Sequence, residues 1–479
     1  MFSQQEGMLI GIIVFFYFIF LFLVSLVISR NIKTYDDYNV AGRSVSIFPL
    51  ILTFVGTAVG GSTLLGYMEN GYLLGMGQQW LNIGTLITGT IMIVFLIKRI
   101  RKLGDKHNMV TIGDFTALRY GEAARLPTVI SMLVAYCAIT GMQFVAIATI
   151  LNLTTGLDMT TGIIISCILV TIKTYFGGLK SVIWQDAFHG TLQTLGVFTL
   201  FVVILIVAGD FKEVSEYANS LGDSDALSLL GIAPSEVFIY VLTIGGYQLV
   251  RQDLWQRFWA AKNINTATKG YAISIILSFL TGVFVVIIGV WGMFGLKIEN
   301  ITPTHIYYAV IGEVFPFPVV VIMIVVLLAT VISTADSFFM AGASSIVNDV
   351  IKPRLKKGND RVLLRYSRIS VVLVSAVALI LALFIPELVE LWVTGTAMLV
   401  SGLLAPVLFG LFWNKTTNKA GVTAMWVGLL AAVIWQILDH PLGVHPVFIG
   451  LPLSTLLLLI ITFLDNNSKA KALNNQNML

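Results

Sequence analysis

Long apolar runs alternate with short polar connections along almost the whole chain. A helix needs about 20 apolar residues to cross the ~30 Å hydrocarbon core of a bilayer, and runs of this length recur about thirteen times. They begin near Met8, Ile47, Gln78, Pro127, Thr160, Ala187, Pro234, Tyr271, Pro316, Tyr366, Glu390, Gly421 and Val447. The pattern predicts an all-α polytopic membrane protein with about 13 transmembrane helices.

Positive charges are divided very unequally between the two sides of this threading. Of the 29 Lys and Arg residues, all except Lys212 and Lys297 fall on one side when the runs cross the membrane alternately. Cytoplasmic loops are the ones that carry excess Lys and Arg. We therefore expect a cell (plasma) membrane protein whose N-terminus lies outside and whose C-terminus is cytoplasmic, since an odd number of spans separates the termini.

The composition agrees with a surface that mostly faces lipid, at 57% hydrophobic and 11% charged residues with a mean hydropathy of +0.90. The first apolar run has no basic segment before it and no small-residue cleavage site after it, so we expect a retained span and not a signal peptide. The net charge of +4 belongs to the inner loops. It gives no reason to expect nucleic-acid binding.

Recognisable catalytic chemistry is missing from the sequence. Cys137 and Cys167 lie inside predicted helices, and the five histidines have no metal-ligand spacing. There is no Gly-rich phosphate loop with its Lys, no HExxH and no nucleophile elbow. We therefore expect no enzyme activity, no use of ATP and no cofactor beyond an alkali cation such as Na⁺. No obligate protein partner is evident.

Two predicted spans contain a Gly pair near the middle: Gly60-Gly61 in the second and Gly245-Gly246 in the seventh. Each Gly costs about 1 kcal/mol in a helix relative to Ala, and an interrupted helix must face a cavity because its backbone cannot face lipid. Close helix packing is the alternative explanation. The two spans begin successive five-helix blocks, which predicts inverted repeats with a binding site near the membrane midplane.

The predicted organisation is a single transmembrane domain, 1–465, followed by a short cytoplasmic tail, 466–479. Within the domain we expect a first repeat over about 47–209 and a second over about 234–413. Peripheral helices are expected over 8–29, 421–438 and 447–464.

The ninth predicted span carries a cluster of hydroxyl side chains. Helical spacing places Ser333 and Ser337 on one face, with Thr330 a turn earlier and Thr334 beside them. Hydroxyl and carbonyl oxygens suit a hard monovalent cation such as Na⁺, although such hydroxyls also bond to their own helix. Asp336 lies in the same segment, and a carboxylate within a membrane is a functional candidate.

Five short motifs occur in order along the chain. They are Asp37-Tyr38 with Ala41-Gly42-Arg43; Thr111 to Phe115 with Arg119-Tyr120-Gly121; Tyr175 to Asp186; Gln256-Arg257 with Ala260-Ala261-Lys262; and Ser333 to Ser337. With these motifs the chain resembles the sodium:solute symporter family from about Tyr38 to Trp413. The resemblance implies a leucine-transporter-like core of two inverted five-helix repeats, in which Na⁺ drives a small organic solute into the cell by alternating access.

The resemblance also implies residue roles. Sodium ligands would be backbone carbonyls and hydroxyls at Gly56, Val59, Thr330, Ser333 and Thr334. Asp186 would belong to the coupling and exit path, or would be an ordinary interfacial carboxylate paired with Lys180. Candidates for the solute pocket are Thr63, Asn82, Tyr136, Gly246, Tyr247 and Arg251.

Arg251 departs from the family pattern and leaves the solute open. In the pocket it would suit a carboxylate; at the cytoplasmic end, paired with Asp253, it would be an orientation charge. Two alternative functions remain. One is a proton-coupled or uncoupled carrier of the same fold, and the other is a transporter-like membrane sensor.

Overall fold

The computed structural model describes residues 3–30, 32–355, 359–384 and 388–465. The predicted tail, 466–479, lies outside the described residues. Within the described ranges the chain is helical, and the strand-like pairing there is an isolated bridge between Val45 and Ala261. The predicted all-α class is therefore confirmed.

Ten helices in the described ranges are long and apolar enough to cross a membrane, which supports a multi-pass membrane protein. They are Gln4–Ser29, Ser62–His107, Glu122–Thr155, Met159–Val207, Ile264–Phe294, Phe317–Arg354, Asp360–Phe384, Leu391–Phe412, Asn418–Ile437 and Val447–Leu464. Shorter helices include Tyr35–Val40, Ile47–Ala58, Ile112–Tyr120, Phe211–Ser220, Pro234–Tyr240, Gln252–Ala260 and Ile306–Val314. The number of about 13 spans stays a prediction.

One reason for the smaller number is the helix Met159–Val207, which covers two of the predicted spans. Its 49 residues correspond to about 74 Å at 1.5 Å per residue, more than twice the hydrocarbon thickness. Gly178 interrupts it with a positive φ of 56°. A Cβ at this position would lie 2.6 Å from the Tyr38 ring, so only glycine fits both the backbone conformation and the close approach.

The core lies among the middle helices of the bundle. In both Glu122–Thr155 and Leu391–Phe412, 83% of the most apolar stretch is buried against other helices, compared with 28% in Gln4–Ser29 and 22% in Val447–Leu464. The first and last long helices of the described chain therefore lie at the periphery and expose their apolar side chains as a lipid-facing surface.

The predicted interruption of the second span is present, and we call it the first break. Helix Ile47–Ala58 ends before Val59, which is extended (φ −102°, ψ 96°). The Gly60 carbonyl then accepts the amide N–H groups of Thr63 and Leu64 as the helix resumes. The first break therefore exposes polar backbone inside the bundle, away from lipid.

The predicted interruption at Gly245-Gly246 is wrong. Both glycines keep helical dihedral angles, and a Cβ on Gly245 would lie 3.1 Å from the Gly84 carbonyl oxygen. Close helix packing thus explains this pair. The helix breaks instead at Arg251, where ψ is 118°, and we call this the second break. There the Tyr136 hydroxyl accepts the Gln252 amide N–H at 2.7 Å.

The orientation of the chain can be tested with single cysteines. Ser224 and Arg361 are both exposed, and the threading places them outside and in the cytoplasm respectively. We expect an impermeant thiol reagent to label Ser224→Cys in intact cells and Arg361→Cys only after permeabilisation. The native Cys137 and Cys167 are buried, so the unmodified protein serves as the unlabelled control. The reverse pattern would overturn the predicted orientation. Gly358, a neighbouring choice, lies outside the described residues.

Candidate sodium and solute site

The first break meets the hydroxyl cluster of the helix Phe317–Ser345. The Thr334 hydroxyl oxygen lies 3.5 Å from the Gly56 carbonyl oxygen and 3.3 Å from the Thr330 carbonyl oxygen. A hard cation such as Ca²⁺ holds oxygen ligands at ~2.3–2.6 Å, so two oxygens separated by about 3.5 Å can share one ion of that kind. A Cβ at Gly60 would lie 2.7 Å from the Thr334 hydroxyl oxygen, which shows how closely the two segments approach.

The other predicted sodium ligands lie around this point. The Ser333 hydroxyl would be 2.8 Å from a Cβ at Gly56, and it donates to Oδ1 of Asp186. Val59 borders a cavity next to the break. The Thr330 hydroxyl differs, because it donates to the Val326 carbonyl of its own helix at 2.8 Å. Only the Thr330 backbone carbonyl points to Thr334.

Asp186 is fully buried and belongs to this cluster. Its Oδ2 accepts a hydrogen bond from the Thr53 hydroxyl at 2.7 Å and one from Arg257 Nη2 at 3.2 Å. The alternative of an interfacial carboxylate paired with Lys180 is therefore wrong. The proposed coupling role is a separate matter and stays a prediction.

Arg257 is a buried residue at this site whose placement sequence reasoning missed. Its guanidinium donates to the hydroxyls of Thr53 at 3.0 Å, Thr57 at 2.7 Å and Ser337 at 2.6 Å, besides Asp186. The side chain has no exposed surface. The available signal was its setting in an aromatic segment with Trp255, Phe258 and Trp259, which favours burial over a solvated loop.

Asp336 is also buried, but its partner is Lys173, with which it forms an ion pair. The Thr174 hydroxyl donates to the other carboxylate oxygen. Lys173, Arg251 and Arg257, which the threading counted among cytoplasmic charges, are all buried in ion pairs. Three of the Lys and Arg side chains counted in the charge difference between the two sides are therefore buried inside the protein.

A cavity of about 30 Å³ lies beside the first break. A buried water needs about 10–15 Å³, so the cavity is too small for an organic solute without movement of its walls. Its lining includes Val59, Thr63, Tyr67, Asn82, Arg251 and Trp392. The rings of Tyr67 and Trp392 stack with centroids 6.0 Å apart.

The predicted pocket residues divide into two groups. Thr63, Asn82 and Arg251 line the cavity. Tyr136, Gly246 and Tyr247 do not: the Tyr136 hydroxyl accepts from Gln252, and a Cβ at Gly246 would contact Leu404. The Tyr247 ring packs under the Arg251 guanidinium, whose carbon lies 5.0 Å from the ring centroid.

Arg251 combines features of both earlier interpretations. It is 3% exposed and borders the cavity, as a solute ligand would. It also forms a bidentate ion pair with the fully buried Asp253, with N···O distances of 2.7 and 3.0 Å. The predicted pairing with Asp253 is present, and the choice between a solute ligand and an orientation charge stays a prediction.

Among the described residues no group of three or more His, Cys, Asp or Glu side chains could hold a metal ion. The oxygen atoms at the first break are arranged differently. They belong to backbone carbonyls and side-chain hydroxyls, with the carboxylate of Asp186 nearby. Carbonyl, hydroxyl and carboxylate oxygens are the ligands that hard cations prefer.

The profile of the Sodium:solute symporter family matches residues 38–428. The chain belongs to the sodium:solute symporter family. The match begins at the tyrosine of the first motif and includes both breaks and the helix that carries Thr334, so the resemblance inferred from the motifs is confirmed.

Two transporters are similar to this chain along most of its length. The sodium/proline symporter of Escherichia coli (strain K12) is 24% identical over 86% of this chain and 85% of its own length. The osmoregulated proline transporter OpuE of Bacillus subtilis (strain 168) is 23% identical over 94% of this chain and 93% of its own.

Solved structures show the same fold. A Na⁺-coupled sialic acid symporter in a substrate-bound outward-open state superposes with a TM-score of 0.80 at 17% identity, covering 96% of this chain and 98% of that one. Mhp1, a nucleobase-cation-symport-1 family transporter, gives a TM-score of 0.60 at 15% identity in a closed conformation, covering 89% of this chain and 92% of its own. At these identities the likeness shows the fold alone.

Proposed function

We propose that this protein is a secondary active transporter that couples the inward movement of Na⁺ to the uptake of a small organic solute. Membership of the sodium:solute symporter family supports this class of activity. The observation on which the proposal depends is the approach of Thr334 and Gly56 at the first break, where a hydroxyl and a backbone carbonyl lie 3.5 Å apart.

Sodium would bind at this point through Gly56, Val59, Thr330, Ser333 and Thr334. Ser333 links the ion to Asp186, because its hydroxyl donates to that carboxylate. A cation at Ser333 and the Asp186 carboxylate attract each other strongly in a buried environment. Asp186 thereby stabilises the bound ion even without direct contact.

The solute would occupy an enlarged form of the cavity next to Val59. Since the present volume is about 30 Å³, the helices around the two breaks must move apart to admit the solute, as alternating access requires. The proposed arrangement is two inverted repeats around this midplane site. Proline is the first solute to test, because two of the similar proteins are proline transporters.

The proposal is tested by uptake into proteoliposomes that contain the purified full-length protein. A panel of radiolabelled solutes that begins with L-proline is offered under an inward Na⁺ gradient, an inward K⁺ gradient and an inward proton gradient. We expect accumulation of at least one solute with the Na⁺ gradient only. Equal accumulation with the proton gradient would support a proton-coupled carrier, and uptake without any gradient dependence would contradict symport.

Removing single oxygen ligands should weaken sodium binding. Ser333→Ala and Thr334→Ala each delete one hydroxyl, the second together with a methyl group, so we expect the Na⁺ concentration for half-maximal uptake to rise about fivefold or more, roughly 1 kcal/mol. Thr90→Ala is the matched control, since Thr90 is exposed and its hydroxyl bonds only to its own helix at Leu86. Unchanged Na⁺ dependence in both site variants would rule out this sodium site.

A further inference from the structure

Four buried charged side chains form a row between the cavity and the sodium site, with signs that alternate. Arg251 lies at the cavity end, followed by Asp253, Arg257 and Asp186, and none is more than 3% exposed. We call these four residues the charge row. Arg251 binds both oxygens of Asp253 at 2.7 and 3.0 Å. Arg257 lies between two carboxylates: its Nη1 is 3.9 Å from Asp253 Oδ2, and its Nη2 is 3.2 Å from Asp186 Oδ2.

The two ends of the charge row reach the two proposed binding places. At one end Arg251 borders the cavity together with Thr63 and Asn82. Its Nη1 donates to Gln248 at 3.2 Å. At the other end Asp186 accepts a hydrogen bond from Ser333, one of the proposed sodium ligands. The row is therefore a continuous set of contacts from the cavity to the sodium site.

The ion pairs within the charge row are expected to change when another charge is added at one end. A buried ion without a partner is costly, so each guanidinium must keep a carboxylate close by. Na⁺ at Ser333 would place a positive charge beside Asp186 and compete with Arg257 for that carboxylate. Arg257 would then strengthen its contact with Asp253. That shift weakens the hold of Asp253 on Arg251 and leaves the Arg251 guanidinium in need of an anionic partner.

We propose that Arg251 binds the carboxylate of an anionic or zwitterionic solute, and that the charge row transmits the effect of Na⁺ binding from Asp186 to Arg251. This inference rests on the proposed Na⁺ symport and adds the class of solute and the route of coupling. A guanidinium presents a planar fork of donors that matches a carboxylate. Because coupling between two binding sites is reciprocal, the solute raises the affinity for Na⁺ by the same factor.

The class of solute is tested on the unmodified full-length protein by thermal unfolding in detergent. The probes are L-proline, L-lactate and L-alanine, each paired with its amide, in NaCl and in KCl. We expect at least one acid to stabilise the protein with an apparent affinity about tenfold or more higher in NaCl, within the usual range of coupling between sites. Its amide should have no effect. Equal effects of acid and amide, or no binding by any of the acids, would overturn the carboxylate assignment.

The guanidinium itself is tested with Arg251→Lys, which keeps the charge and loses the planar fork. We expect a tenfold or greater loss of affinity for the acid that binds, about 1.4 kcal/mol or more. Arg361→Lys is the control, because Arg361 is exposed and its replacement should change nothing. Near-normal affinity in Arg251→Lys would discard Arg251 as the solute ligand.

The route of coupling is tested with Asp253→Asn, which removes the charge shared by both arginines. Arg251 is then free of its carboxylate with or without Na⁺, so we expect the acid to bind equally well in NaCl and KCl. A retained tenfold Na⁺ effect in this variant would overturn the charge row as the route. If Asp253→Asn does not fold, Asp253→Glu, which keeps the charge but displaces it, should reduce the Na⁺ effect.

These outcomes are separate from a failure of the proposed function. Stabilisation by NaCl over KCl without solute reports sodium binding alone, and Na⁺-driven uptake reports symport. If both are present and acids bind no better than amides, only the present inference fails. If neither is present in the unmodified protein, the proposed symport itself fails.

Discussion

Replacement of Lys173 by methionine is expected to destabilise the folded protein by about 3–5 kcal/mol, the usual effect of breaking a buried ion pair from one side. Lys173 is 2% exposed and Asp336 is fully buried, and the two form an ion pair inside the helix bundle. Without the ammonium group, the Asp336 carboxylate keeps only the hydrogen bond from Thr174. It must then stay charged without a counterion or take up a proton.

The measurement is the thermal unfolding midpoint of the purified protein in detergent. Lys212→Met is the matched control, because Lys212 is 82% exposed and lies 3.8 Å from the likewise exposed Glu216, a geometry in which ion pairs contribute little. The double variant Lys173→Met with Asp336→Leu should recover much of the lost stability, since both buried charges are gone. A midpoint for Lys173→Met equal to that of Lys212→Met would contradict the burial of this pair.

A methyl group at Gly60 is expected to lower the affinity for sodium by about tenfold or more. The Cβ of Gly60→Ala would lie 2.7, 2.9 and 3.1 Å from the three side-chain atoms of Thr334 nearest to it. Overpacking of this kind typically costs about 1–3 kcal/mol, which is released when Thr334 moves away from Gly56. The proposed sodium ligands then separate. Gly60 is not among the glycines with positive φ, so the expected effect comes from the contact with Thr334.

The effect is read as the NaCl concentration that gives half of the maximal thermal stabilisation over KCl, so no solute is needed. Gly312→Ala is the control, because a Cβ there has no neighbour within 4 Å. We expect Gly312→Ala to match the unmodified protein. If Gly60→Ala also matches it, the close approach of the first break to Thr334 has no part in sodium binding.

Both expected effects depend on charges and backbone that are kept out of lipid by the surrounding helices. Lys173, Arg251 and Arg257 are all buried in ion pairs, although an isolated charge at membrane depth is strongly unfavourable. Two of these pairs, Lys173 with Asp336 and Arg257 with Asp186, join segments that meet only in the folded bundle. The interior charges are therefore stable only in the assembled structure.

The amino-acid sequence by itself determined the class of the protein. The lengths of apolar runs such as those in Gln4–Ser29 and Ile264–Phe294 predict membrane helices, because the bilayer thickness sets a local length that needs no tertiary contact. The Gly60-Gly61 pair correctly indicated the first break, but the same argument failed at Gly245-Gly246, where both glycines keep helical dihedral angles. The five motifs identified the family.

Only the tertiary structure decided which charged residues distant in sequence pair with each other, and where the second break lies. Arg257 contacts Asp186 from 71 positions away, and Lys173 contacts Asp336 from 163 positions away. Hydrophobic periodicity describes the average environment of one helix face and contains no information on which distant side chain lies opposite. The helix continues through Gly245, which packs closely against Gly84, and breaks at Arg251, next to which Tyr136 from another helix accepts the Gln252 amide N–H. Local helix propensity cannot specify such a contact, since its free energy depends on the packing of segments far apart in the chain.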